Sequence, residues 1–523
     1  MNPNNQVYAP NVHLFAFHVW DTISSDSNYP SNSQQPTLPA TSTPHSNPQL
    51  LWEKCNEILQ EKLKINAEFN QTNLLYNRTD QPRGRRVNLI IKTAVNNRGS
   101  LFLAKQIKHD NQPLSLAGFA QPLRISDSYA LAFNLRVPEK TNGTNTPNVN
   151  PSIFGEFNPD NCLLPNSVNS YFGQTLLLTA WLNEPQKAEA EQDSQFIKNL
   201  GQQCLKSLIS GEVLPELYRE GELFGSPILE YGDPNYPDDF GHILIWFFNS
   251  QTTSDIWDLR YTDFIDLFLY RHKVIRAYQE SRAYYSEIRQ EYEQIEQHID
   301  RTFQQYFDDD EADQRESKDA GLTAEKFQYL ARQIIEMPPR AVKYARWLMD
   351  LEIRQNTIAI NAKNYQDKLN QISLDIKSRK NYNDRDADLK FLKLFSKETC
   401  PRFQQQITAD LAYFKHGTGS LDNAMEAIRG IVAIEEARRD TELQATIQTV
   451  GSTLGFVAIV ASVAPYLIKQ DPPDRKFYFP LSNIEIPSFI LVLLISLGAG
   501  FGVWMAVWAI GQLKKILPKI KHR

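Results

Sequence analysis

Three textures of hydrophobic and polar residues follow one another along the chain. In the first, residues 1–250, short apolar runs are separated by polar turns. Val12–Trp20 (VHLFAFHVW) is such a run, and others lie at Val87–Thr93, Ser100–Ile107, Tyr129–Val137, Thr175–Leu182 and His242–Phe248. Their length and their β-branched and aromatic content predict strands. Helices are predicted over Leu50–Phe69 and Gln195–Leu208. The stretch 22–48 is dense in Ser, Pro, Asn and Thr, so it is expected to remain a disordered loop. Thr141–Pro151 reads as a second flexible loop. The mixture predicts an α+β domain around an antiparallel or mixed sheet.

The second texture, residues 251–442, is helical. Tyr285, Ile288, Tyr292, Ile295 and Ile299 recur at alternating steps of three and four residues. Tyr344, Trp347, Leu351, Ile358, Ala362, Tyr365, Leu369, Ile372 and Ile376 hold one seam over several heptads, with Arg354 as its polar position. Sustained heptads predict long helices packed side by side as a coiled coil or stalk. Met337-Pro338-Pro339 and the polar stretch Asn381–Asp386 are expected to break the run, so at least three helices fold back on one another.

The third texture, residues 443–523, is apolar. Val450–Ile468 and Pro487–Leu513 carry no charge, and each is long enough as a helix to cross about 30 Å of hydrocarbon. They predict two C-terminal transmembrane helices. Basic residues precede the first (Arg429, Arg438, Arg439) and follow the second (Lys514, Lys515, Lys519, Lys521, Arg523), whereas the connecting loop has no basic excess. The positive-inside bias predicts a multi-pass protein of the cell membrane with both termini, and the α+β domain, in the cytoplasm. The bilayer is then a partner. Gly451 and Gly455, and Gly498 and Gly502, form GxxxG pairs suited to close helix packing. Thr446, Thr449 and Thr453 share a helix face. Such a stripe either lines a water-filled path or joins helices by hydrogen bonds.

Composition adds limits. The chain has 523 residues and a net charge of −6, which argues against a general nucleic-acid-binding surface. Cys55, Cys162, Cys204 and Cys400 lie far apart and read as reduced, inert thiols. No charged segment followed by an apolar run opens the chain, so no cleavable signal peptide is expected. GxxxxGK[ST], GxGxxG, GxSxG and HExxH are absent, and an enzyme is not expected. Arg83, Arg85 and Arg86 around Gly84 make a basic turn able to hold a phosphate. His13 and His18 fall on opposite faces of a strand and cannot share a site. His272, among Arg271, Lys273 and Arg276, reads as part of a solvated basic helix start. Asp308, Asp309, Asp310, Glu311 and Asp313 read as a solvated helix end, without the spacing of a calcium loop.

The order of parts resembles the CorA-type two-transmembrane family of divalent-cation channels. The matching parts are residues 1–250, Ile265–Arg439, Val450–Ile468, Lys469–Ile486 and Lys514–Arg523. The resemblance implies a homo-oligomer, a pentamer if the family's assembly is kept, with Thr446, Thr449 and Thr453 facing a cation pore gated by the cytoplasmic domain. It implies no cofactor beyond a transported divalent cation. The family's Gly-Met-Asn signature is missing: the corresponding place reads Ala464-Pro465-Tyr466-Leu467-Ile468-Lys469. The alternative expectation is a membrane-anchored sensor, scaffold or defence-associated effector whose hairpin only tethers a partner-binding coiled coil.

Overall fold

The computed structural model describes residues 6–20, 49–75, 86–91, 99–236, 239–313, 324–379, 382–383, 387–468 and 505, with the backbone alone for 305–313 and 445–468. Two compact units are present. The first comprises Met1–Glu293 and Lys343–Gly417, the second Gln294–Val342 and Thr418–Arg523.

The first unit is built on a sheet. In chain order its elements are β1 (Tyr8–Val19), α1 (Leu50–Glu57), β2 (Arg86–Asn88), β3 (Leu101–His109), β4 (Gln112–Ile125), β5 (Ser128–Arg136), β6 (Lys140–Thr141), β7 (Thr144–Asn145), α2 (Ile153–Phe157), α3 (Pro165–Val168), β8 (Gly173–Trp181), α4 (Glu184–Gln192), α5 (Ser194–Leu208), β9 (Leu217–Leu223), β10 (Ser226–Tyr231) and β11 (His242–Phe248). The main sheet among the described residues has nine strands in the order β2-β4-β5-β1-β8-β11-β10-β9, with β3 also pairing with β4. Of its pairs, β8–β11 is parallel. Asp110 and Asn111 close the β3–β4 hairpin at φ of 48° and 63°, a conformation that Asp and Asn tolerate better than most residues.

Both faces of the central strands are buried, which is why β1, β5, β8 and β11 read as nearly unbroken apolar runs. One face presents Val12, Leu14, Leu131, Phe133, Leu176, Leu178, Ile243 and Ile245 to a core shared with α1, α2 and α5. The alternate residues Phe15, Phe17, Leu177, Leu244 and Trp246 point the other way and are equally buried. There they meet the first turns of α6 (Gln251–Asp313), where Trp257, Tyr261, Phe264 and Phe268 pack edge-on or tilted against them.

Two further long helices follow, α7 (Ala324–Lys377) and, after the short α8 (Lys390–Leu394), α9 (Cys400–Ile468). Within the first unit α6 and α7 run antiparallel: Arg260 pairs with Asp375, Lys368 with Asp263 and Asp266, Arg354 with Glu280, and Lys343 with Glu291. Against α6, α9 stacks Phe403 flat on Tyr278, with ring centroids 3.7 Å apart, and sets Asp410 on Arg282. The seam residues Tyr344, Leu351, Ile358, Tyr365, Leu369, Ile372 and Ile376 are buried, as a heptad pattern requires. In the second unit His298 of α6 meets Gln333 of α7, and Arg439 of α9 lies over the Phe327 ring.

Several expectations are corrected. α7 continues through Pro338 and Pro339. Burial of Leu330 and Met337, two turns apart on one face, outweighs the local cost of the prolines. Residues 141–151 are not simply a loop, since β6 and β7 form a small hairpin there and Val149 bridges Val7. The helix expected over Leu50–Phe69 ends with a π-helical turn at Ile58–Lys62.

The largest correction concerns the membrane. Among the described residues no helix is long and apolar enough to cross a bilayer. The three long helices lay apolar seams on their neighbours and carry charge elsewhere, as the part of α9 with described side chains does with Asp410, Lys415, Asp422, Glu426, Arg429, Glu435 and Arg438. A spanning helix needs about 20 residues apolar on every side. That finding overturns the integral-membrane channel and ion-transport reading, its hairpin-tethered alternative and the multi-pass placement in the cell membrane. Of the two expected spans, Val450–Ile468 is the helical end of α9 with its side chains undescribed. Pro487–Leu513 lies outside the described residues apart from Met505.

Replacing Phe403 by alanine removes a fully buried ring stacked on Tyr278. It should cost about 3–5 kcal/mol in urea unfolding. A loss under about 1 kcal/mol, the size of an ordinary mild substitution, would show that this contact does not hold α9 to α6.

Candidate functional site

A chain of buried polar groups crosses the α6 face of the sheet where β8, β10 and β11 lie side by side. Parallel pairing sets His242, the first residue of β11, opposite Thr175 of β8. One strand further, Glu230 of β10 reaches His242, whose Nε2 lies 3.2 Å from Glu230 Oε1. From above, α6 supplies Arg271, whose Nη2 donates to the same Glu230 oxygen at 2.9 Å. Arg219 of β9 lies 3.3 Å from Glu230 Oε2. The other side of His242 continues the chain. Its Nδ1 is 2.9 Å from Thr175 Oγ1, and that hydroxyl is 2.8 Å from His272 Nε2. Phe264, Phe268 and His272 are spaced four residues apart on α6, so the imidazole follows an apolar stripe down onto the sheet.

Burial and charge set the protonation states. Burial alone pushes the Glu230 carboxyl up, but Arg271, the His242 hydrogen bond and Arg219 together outweigh it and hold it at about 2. Burial, reinforced by Arg271, drops His242 to about 4, against the pull of Glu230. His272 is lowered well below its ordinary value by burial, then by His242 and Arg271. At neutral pH the cluster therefore holds one carboxylate, two guanidinium groups and two neutral imidazoles.

Beside His272 a cavity of about 180 Å³ opens. It is walled by Tyr171, Phe172 and Pro165, by the turn at Gly232-Asp233-Pro234, by Gln174 and His242, and by Arg271, His272, Ile275, Arg276 and Gln279 of α6. Gly173 makes room for it. Its φ is 112°, and a Cβ there would stand 2.9 Å from His272 Nδ1. Two wall groups carry buried polar atoms with no partner in the protein: Arg271 Nε and Gln174 Oε1. Arg276 spreads over the Tyr171 ring at 4.7 Å and donates from Nε to Glu280.

The residues singled out from the sequence lie elsewhere. Arg86 is engaged with Asp266 at 2.5 Å and with the Thr262 carbonyl, while Arg83 and Arg85 lie outside the described residues. Gly498 and Gly502 lie outside them too. Thr446, Thr449, Gly451, Thr453 and Gly455 fall on the part of α9 whose side chains are not described. The basic segment Arg271–Arg276 is not a solvated helix start. Arg271, His272 and Lys273 are buried, twenty residues and more into α6, and Lys273 pairs with Asp127 over the Phe172 ring. His13 and His18 are both buried and do not meet: His13 packs on Trp257, and His18 accepts from the Tyr171 amide. The four cysteines are free and buried, and burial raises each thiol. Among the described residues no group of His, Cys, Asp and Glu is arranged to hold a metal ion.

No family description, characterised protein or solved structure matches the chain. Nothing in these comparisons bears on the CorA-type layout.

The lowered histidines make stability depend on pH in a defined direction. In the unfolded chain His242 titrates near its ordinary 6.5, whereas in the fold it stays neutral to about 4. Between these values the unfolded state binds the extra proton, so stability is fully present above about 6.5 and falls toward pH 4 by up to about 1.4 kcal/mol per pH unit for each such histidine. Glu230 adds to the loss below 4.5, its ordinary value. Urea unfolding between pH 7 and 4 should show this decline, and His242→Gln should make it shallower by one histidine's share, leaving the part due to His13 and His272. A flat wild-type profile would contradict the buried neutral state.

Proposed function

We propose that the first unit is a binding module for a small anion, held in the cavity between α6 and the ends of β8 and β11. The carrying observation is Arg271, a buried arginine on the wall of the cavity. A guanidinium presents five donors in a planar fork suited to carboxylate and phosphate oxygens, and here Glu230 takes only part of it. Arg276 stands on the same wall. The cavity is smaller than the roughly 300–1,000 Å³ of sites for drug-sized molecules. That favours a compact ligand such as phosphate or a short carboxylic acid, or the anionic end of something larger.

The proposal is binding without turnover. Thr175 is the hydroxyl within reach of both imidazoles, and its hydrogen and an oxygen lone pair are already committed to them. A nucleophile needs an oxygen free to reach substrate.

Titration calorimetry with inorganic phosphate, sulfate and small carboxylates tests the reading. At least one should bind with Kd below about 1 mM, and Arg276→Gln should weaken it about tenfold, or 1.4 kcal/mol. Arg276 is chosen because removing Arg271 would leave Glu230 buried without its main partner, a change that destabilises the fold itself. Absence of binding for all of these ions would sink the proposal. So would binding indifferent to Arg276.

A further inference from the structure

Resting on that anion reading, we infer that the cavity selects ligands carrying a hydrogen-bond donor beside the negative group, through a relay of fixed direction that ends at His272 Nδ1. The direction follows from counting hydrogens along the chain. Glu230 Oε1 already accepts from Arg271, and an ionised carboxylate can only accept. The hydrogen between Glu230 and His242 is therefore on His242 Nε2. A neutral imidazole then has a bare Nδ1, which accepts from Thr175. The hydroxyl has one hydrogen, now used, so toward His272 it accepts, and the hydrogen in that contact sits on His272 Nε2. His272 Nδ1 is left with a lone pair. This nitrogen lies over Gly173 on the cavity wall.

The neutrality of both histidines, which burial and Arg271 enforce, keeps the relay from running backwards. The cavity thus combines guanidinium groups with this one bare acceptor. An anion lacking any hydrogen satisfies the first and sets its oxygens against the second. A protonated phosphate, a hydroxy acid or an amino acid satisfies both. Sites whose buried polar groups require a partner reject the analogue lacking it strongly, because the group stays unpaired.

Inorganic phosphate and sulfate separate these cases, being alike in shape and differing in the hydrogen. At mildly acidic pH, where phosphate carries a proton, phosphate should bind at least about tenfold tighter than sulfate, although sulfate has the greater charge. Thr175→Val uncouples His272 from the relay and frees it to place its hydrogen on Nδ1. That variant should lose most of the preference, with sulfate gaining, whereas Thr175→Ser should keep it. If the valine variant does not fold, nitrogen-15 NMR of the wild-type imidazoles decides: His272 should carry its hydrogen on Nε2. A hydrogen on Nδ1, or sulfate binding as well as phosphate in an Arg276-dependent manner, overturns the relay while leaving the anion site standing. Failure of both ions to bind removes the anion site as well.

Discussion

A carboxylate held inside a protein organises what surrounds it. Glu230 is 5% exposed, and stripping an ion of water costs several kcal/mol unless partners replace the water. Here the replacement comes from separate elements: Arg219 and His242 on the two strands that flank it and Arg271 on the covering helix. None of these is satisfactory without the others. Arg271 lies between the carboxylate and the Phe395 ring, 4.7 Å from its guanidinium carbon, so the segment before α9 is drawn into the same arrangement. Such a cluster adds little net stability compared with an apolar core. It does penalise any register or helix rotation that would leave one charge alone.

This requirement is compatible with the sheet because both faces of its central strands are closed. Apolar residues occupy most of the α6 face, with Phe15, Trp246, Phe264 and Phe268 packed together. The polar chain runs along the margin of that aromatic layer, and His242 touches both, its ring 6.1 Å from Phe268 and 5.9 Å from His272. The dry aromatic layer on one side depresses the imidazoles, and the cavity on the other gives a ligand access to the last of them. One helix therefore contributes to core packing and to the candidate site with successive turns of the same stripe.

The withdrawn membrane reading has a physical lesson. A long run without charge and a helix that is apolar all round are different properties, and only the second commits a segment to lipid. In the described long helices the apolar seam positions have protein partners. Tyr344 donates to the Phe414 carbonyl, Tyr365 to that of Leu392, and Leu351 and Ile358 are fully buried. Helices that satisfy one another in this way show one-sided seams, which the heptad spacing announces.

What the amino-acid order determined by itself was local. Strands β1, β8 and β11 were legible because a strand covered on both faces must be apolar at every position, and the α7 seam because its period is that of packed helices. Strand β4 was not legible, since Gln112, Pro113, Gly118, Gln121 and Pro122 interrupt its pattern and only the registers with β3 and β5 hold it extended. The site was the least legible part. Thr175, Glu230, His242 and His272 carry no motif and lie up to 97 residues apart. Read alone, the basic residues around His272 look like a solvated helix start. The parallel pairing of β8 with β11 and the descent of α6 onto them bring these groups within hydrogen-bond reach and exclude water. Proximity and burial are what turn ordinary polar side chains into a directed relay, and both belong to the tertiary structure.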